Sequence, residues 1–180
     1  MTSRRTRSPI GAVHYLVQDQ VGSQPAFRRL ANALLKSAIV VRHASTFLTR
    51  ASQLAFRIHP GLGALVKQMN HVWTGADISP RAEIGCGLVL HHPTGVVVGP
   101  EVLIGQDCRI QQGVTLGGRG GRKIDGNPVL GDRVHLGAGS RVLGNVRIGD
   151  DVTIGANAVV LSDVPSNSIA VGIPAKVISR

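Results

Sequence analysis

"LGDRVHLGAGSRVLGNVRIGDDVTIGANAVV", Leu130 to Val160, sets an aliphatic residue at every sixth position: Leu130, Leu136, Val142, Ile148, Ile154 and Val160. Glycine directly follows Leu130, Leu136, Ile148 and Ile154. Six is neither the period of an amphipathic helix nor the alternation of a half-buried strand. A fixed longer period marks a repeat architecture, in which each unit buries its apolar residue only against the next. Moving toward the N-terminus, the same spacing runs through Val98, Ile104, Ile110 and Leu116, and before them through Ile78, Ile84 and Leu90.

A six-residue unit suits one short flat strand, with three units closing a triangular coil. The aliphatic residues point inward and stack from coil to coil. Small residues stand beside them at the corners, where glycine's freedom in φ is useful. Aromatic rings do not fit so narrow an interior, and the chain has only three Phe, one Tyr and one Trp. The expected fold is mainly β: a left-handed parallel β-helix of hexapeptide repeats, an exception to the right-handed crossover rule.

Upstream the period changes. From about Pro25 the pattern is helical, with Leu30, Leu34, Ala38, Val41 and Ser45 in steps of three and four. "HPGLG", His59 to Gly63, punctuates it, and a second short helix is expected over Ala64 to His71. The expected organisation is a basic disordered tail over 1–24, a helical segment over 25–74, and the β-helix over 75–178. Charge follows the same division. Residues 1–76 carry ten Lys/Arg against the single acid Asp19, whereas residues 77–180 carry ten against nine acids. A basic helical segment suits a polyanion or an anionic bilayer surface, with Arg28, Arg29, Lys36, Arg42, Arg50, Arg57 and Lys67 recurring along it. Solvated helix charges at the base of an oligomer are the competing reading.

No convincing signal peptide or membrane span is read. The two cysteines, Cys86 and Cys108, have neither zinc nor disulfide spacing. The expected location is cytoplasmic, extending to the inner face of the membrane.

The period breaks twice. Leu90 to Val98 is two residues too long, just after the doublet His91-His92. Between Leu116 and Leu130 a glycine-rich loop, residues 117–129, is extruded. That loop lacks the Lys-Ser/Thr ending of a P-loop. In a solenoid such interruptions are where function is placed.

"GADISP", "LHHPTGVVVG", "IQQGVTLGG", "GAGSRVLGNVRIGDDVTIGANAVVLSDVP" and "VGIPAKV" together resemble the serine acetyltransferases among the hexapeptide-repeat acyltransferases. The resemblance implies an acetyl-CoA-dependent O-acetyltransferase with no metal, built as a homotrimer with active sites between subunits, and no nucleic-acid partner. It places the catalytic pair on His92 and Asp77. The chemistry agrees: an alcohol attacking a thioester must lose its proton, an imidazole suits that task, and a carboxylate steadies the imidazolium. Family matching puts the pantetheine channel at Gly118, Ala138 and Ala156, and the nucleotide phosphates near Lys176.

His91 and Asn127 are the expected acceptor-binding positions, and both depart from the family. Serine acetyltransferases usually carry Asp where this chain has His91, and Arg-His where it has Gly126-Asn127. These are the groups that grip a zwitterion. The "HH" doublet resembles instead the branch that acetylates sugars in exopolysaccharide synthesis, of colanic acid type. A sugar or glycan intermediate is therefore expected as acceptor ahead of L-serine and cysteine biosynthesis. A zinc hydratase of the γ-carbonic anhydrase type, which would use His91, His92 and His135, and a non-catalytic scaffold are remote alternatives.

Overall fold

The computed structural model of the chain describes residues 41–120 and 126–179. Two helices come first, α1 (Val41–Ile58) and α2 (Pro60–Thr74). The strands that follow are mostly two residues long and pair in parallel with the third strand onward, so the chain winds as a coil of three faces. One face stacks β1 (Asp77–Ile78), β4 (Val97–Val98), β7 (Thr115–Gly117), β10 (Arg141–Leu143) and β13 (Val159–Val160). The second stacks β2 (Glu83–Ile84), β5 (Leu103–Ile104), β8 (Val129–Leu130) and β11 (Arg147–Ile148). The third stacks β3 (Val89–Leu90), β6 (Arg109–Ile110), β9 (His135–Leu136), β12 (Thr153–Ile154) and β14 (Ser168–Gly172), and closes with antiparallel β15 (Ala175–Ser179).

The register aligns the sixth-position residues: Ile78, Val98, Leu116, Val142 and Val160 pair in order on the first face. They are buried, as are Ile84, Leu90, Ile104, Ile110, Leu130, Leu136, Ile148 and Ile154. A second inward column lies two residues earlier in each unit. It includes Ala82, Leu88, Val102, Cys108, Val134, Ser140, Val146 and Val152, all buried. Burial pushes the Cys108 thiol up to about 11, so it stays protonated and packs as a small apolar group. Both cysteines are free thiols.

The corners are fastened by side chains as well as by backbone. Between the second and third faces, Gln106 N–H donates to Asp132 Oδ1 at 2.7 Å, and Asp132 N–H to Asp150 Oδ1 at 2.7 Å. Asp150 N–H then donates to Ser166 Oγ at 3.0 Å. Each carboxylate thus satisfies a backbone donor of the preceding coil.

The helices pack on the first coil. Buried Arg50 on α1 donates to the carbonyls of Ile84 (2.8 Å) and Gly85 (2.5 Å), and Gln53 Nε2 donates to Ala82 O at 2.9 Å. α2 begins at Pro60, earlier than Ala64. His59 accepts the Gly61 N–H as its cap, and proline fits the first turn of a helix. Gly63 lets the hairpin close, since a Cβ there would meet Phe56 Cβ at 2.5 Å. The seam between the helices is polar. Asn70 Nδ2 donates to Ser45 O (3.3 Å) and Thr49 Oγ1 (3.1 Å), and Thr74 Oγ1 donates to Asn70 Oδ1 (2.8 Å). Val41, expected on the buried stripe with Ser45, is exposed, because α1 buries its Ser/Thr face instead. The helical pattern before Val41 and the tail lie outside the described residues.

Candidate active site at the third corner

The corner between the third and first faces carries the two-residue excess. Gly113 N–H donates to Thr94 O (3.0 Å), Gly139 N–H to Gln112 O (2.8 Å) and Asn157 N–H to Ala138 O (2.8 Å). Thr94, Gln112, Ala138 and Ala156 therefore occupy equivalent corner positions, one per coil. Gly95, Gly113 and Gly139 follow them, with φ of 72°, 68° and 68°. These glycines stack closely and carry the left-handed turn that the corner requires.

His92 and Pro93 are the residues this alignment leaves over, so the chain bulges at the top of the column. His92 is exposed and has φ of 55°, although the corner's left-handed position is already filled by Gly95. Glu101, Asp107, Arg133, Asp151, Asn157 and Asn167 share this left-handed conformation at other turns, so it is the two-residue excess of its unit that sets His92 apart. Asp77 begins β1, opposite Val97, and the backbone bond from Gly95 N–H to Gly75 O at 2.9 Å brings its segment beside the bulge. The expected bond between the pair is absent among the described residues. Asp77 Oδ1 is instead held by Lys67 Nζ on α2 at 2.6 Å. Lys67, read from sequence as a surface charge, is a residue of the site's surroundings. Arg50, read the same way, is buried on backbone carbonyls.

His91 N–H donates to Ile110 O at 2.7 Å, and the ring is half-buried. Burial first, and then Arg42, Arg109, His135 and His92, hold its pKa below the ordinary 6.5. Gln111 Oε1 accepts the Ala138 N–H at 3.1 Å, and its Nε2 lies 3.4 Å from His135 Nε2. Ala138 and Ala156 share one edge with His92, below Thr94 and Gln112, and their small side chains leave the lower half of that edge open to an extended thioester arm. Lys176 pairs with Val171 at the far end of the same face, toward that edge. Gly118 and Asn127 lie elsewhere, beside each other at the mouth of the extruded loop on the next corner: a Cβ on Gly118 would be 3.9 Å from Asn127 Oδ1. One chain does not join them to the column. Of the loop, residues 121–125 lie outside the described residues. His91, His92 and His135 form no group able to hold a metal among the described residues.

Sequence reasoning missed Lys67, Thr94, Gln112 and the Gln111 contact. Aligning the over-long unit on Gly95 could have found Thr94 and Gln112. Nothing in the spacing signals Lys67.

The coil and its corner column define a hexapeptide-repeat fold. Residues 127–162 match the family described as bacterial transferase hexapeptide (six repeats). The serine acetyltransferase of Helicobacter pylori is 52% identical over 115 residues, covering 64% of this chain and 67% of that protein. The Synechococcus elongatus serine acetyltransferase is 46% identical over 121 residues, 67% of this chain and 50% of that one. Among solved structures, the soybean serine acetyltransferase apoenzyme superposes with a TM-score of 0.75 at 31% identity, over 93% of this chain and 82% of that one. The Vibrio cholerae serine acetyltransferase gives 0.81 at 31%, over 94% and 66%. The chain belongs to the serine acetyltransferase family, and its coil is the left-handed parallel β-helix. It spans half the length of the Synechococcus relative and a third (33%) of a rice one. The exopolysaccharide branch suggested by the His doublet finds no support among these relatives.

Proposed function

We propose that the chain is an acetyl-CoA-dependent O-acetyltransferase, working without a metal as a homotrimer. The observation that carries this is the exposed His92 on the two-residue bulge at the head of the corner column that runs down to Ala138 and Ala156, with Asp77 at the start of the neighbouring strand. In the reaction His92 takes the acceptor's hydroxyl proton as its oxygen attacks the thioester carbonyl. The C–S bond then breaks, and the CoA thiolate leaves and takes up a proton. Asp77 favours the imidazolium electrostatically while Lys67 fixes its carboxylate. Ala138 and Ala156 line the pantetheine arm, and Lys176 meets the nucleotide phosphates. Gly118 and Asn127 join from the loop of a neighbouring subunit.

The names of the relatives favour L-serine as acceptor over the sugar expected from sequence, and serine is the acceptor to test first. A sugar or glycan intermediate is the second reading, favoured by an imidazole, not a carboxylate, at position 91. A thiol-release assay with acetyl-CoA against L-serine and a panel of sugars tests both. Thiol release with no acceptor in either set overturns the transferase reading, as does its absence throughout. A monomer at micromolar concentration that still turns over would remove the intersubunit site.

We also propose that the helical hairpin docks on an anionic bilayer. Leu62, Leu65, Met69, Val72 and Trp73 form an exposed apolar stripe on α2, in the basic half of the chain. No helix among the described residues is long and apolar enough to cross a membrane. Co-sedimentation with anionic vesicles at low but not high salt is expected. Indifference to vesicles at low salt would end this reading.

A further inference from the structure

On the third face, Val89, Arg109 and His135 are in register on successive coils. Arg109 is exposed and His135 half-buried, while their neighbours Ile110 and Leu136 fill the core. Adjacent strands are ~4.8 Å apart, so the Arg109 and His135 side chains stand next to each other beside His91. From α1, Arg42, His43 and Thr46 close over Leu88, Val89 and Leu90 around a cavity of about 260 Å³. The groups acting on His91 are Arg42, Arg109, His135 and His92, with no acid among them. Arg81 pairs with Glu101, Arg133 with Asp151 at 2.6 Å, and Lys67 with Asp77 at 2.6 Å, whereas Arg119 and Arg141 rest on backbone carbonyls. Arg109 has no carboxylate partner among the described residues. Asp132 and Asp150 are held on backbone N–H groups at the opposite corner.

We infer that Arg109, His91 and His135, with Arg42 beside them, form an anion-recognising subsite next to His92 that receives the carboxylate or phosphate of an anionic hydroxyl acceptor. A guanidinium presents a planar fork that matches either group, and the imidazoles add donors as the anion approaches. The acceptor is then selected by its negative charge, and an ammonium on it is dispensable. The inference rests on the transferase reading for the word acceptor, and the subsite itself is tested without turnover.

Three probes separate the charges: L-serine, 3-hydroxypropanoate (no ammonium) and L-serinamide (no carboxylate). Imidazole ¹⁵N shifts of His91 and His135 should move with the first two and not with serinamide. In Arg109→Ala these shifts should be lost or need at least about tenfold more ligand. Arg109→Lys should recover part of the response. Glucose 6-phosphate against glucuronate and glucose distinguishes a phosphate from a carboxylate source, and the neutral sugar should leave both imidazoles unmoved. In the thiol-release assay, Arg109→Ala should raise KM for anionic acceptors by a similar factor, with KM for acetyl-CoA within about twofold. Imidazoles silent to every anion, as when acids of a neighbouring subunit cover the patch, overturn the subsite whether or not the protein turns over. Equal responses to serinamide and 3-hydroxypropanoate overturn it too. Shifts that behave as stated in a protein releasing no thiol uphold the subsite and sink the transferase reading.

Discussion

His92 is where the broken period and a chemical opportunity coincide. Replacing it by Ala should lower kcat by about two to four orders of magnitude, the usual range for losing a general base. Asp77→Asn should cost less, because the imidazole remains. Steady-state rates with acetyl-CoA and the active acceptor test this, and an undiminished His92→Ala enzyme would refute the mechanism. His91 adds a pH dependence. Its pKa lies below 6.5 in the folded chain, so below that pH the unfolded chain binds a proton that the folded one resists. Stability should therefore fall as pH drops from 6.5 through the folded value, with Arg42, Arg109, His135 and His92 the groups opposing the charge. Urea midpoints at pH 7.5 and 5 should differ less for His91→Asn than for wild type. A third residue, Ser140, is fully buried in the inner column, and its hydroxyl has no partner among the described residues. Neighbouring coils put Val or Ala at this position, so Ser140→Ala should stabilise by about 1 kcal/mol, seen as a higher Tm. A lowered Tm would mean that the hydroxyl is satisfied.

At the scale of elements, the α1–α2 hairpin inverts the usual distribution, with Ser, Thr and Asn in its seam and an apolar stripe outside. Asn70 ties three groups in that seam. Asn70→Leu removes the amide's bonds to Ser45 O and Thr49 Oγ1 and leaves that buried carbonyl facing an apolar side chain, which should cost roughly 1–3 kcal/mol. Chemical denaturation followed by Trp73 fluorescence measures it, and an unchanged midpoint would show that the seam does not hold the hairpin. This inversion was illegible in the sequence, because a periodicity search assigns apolar residues to the inside. Val41 was misplaced for that reason. The β-helix was legible because its sixth-position residues have one environment and no alternative. The inner column of Val, Ala, Cys and Ser was hidden by mixed chemistry, although its spacing was equally regular. At the site, His92 was visible as a broken period. Lys67 on Asp77 was not, since a contact between a helix and a coil edge follows no spacing within either.

For the molecule as a whole, stability comes from neighbour-to-neighbour stacking, as in other solenoids. Ile110→Ala, in a fully buried side chain of a middle coil, should cost about 2–5 kcal/mol, read from urea denaturation. A cost below about 1 kcal/mol would mean that the coils can collapse around the gap. The corner column has another consequence. Because Thr94, Gln112, Ala138 and Ala156 are successive marks on one edge, the third corner works as a measuring rod between His92 and the C-terminal hairpin that carries Lys176. Duplicating residues 139–156 after Ala156 repeats one whole coil in phase and should move Lys176 away from His92 by one strand spacing, ~4.8 Å, with the chemistry at the bulge untouched. A full-length CoA thioester, gripped at both ends, should then bind worse, whereas a truncated thioester without the nucleotide should not register the change. On the proposed donor path, the number of coils wound would set the length of thioester that fits.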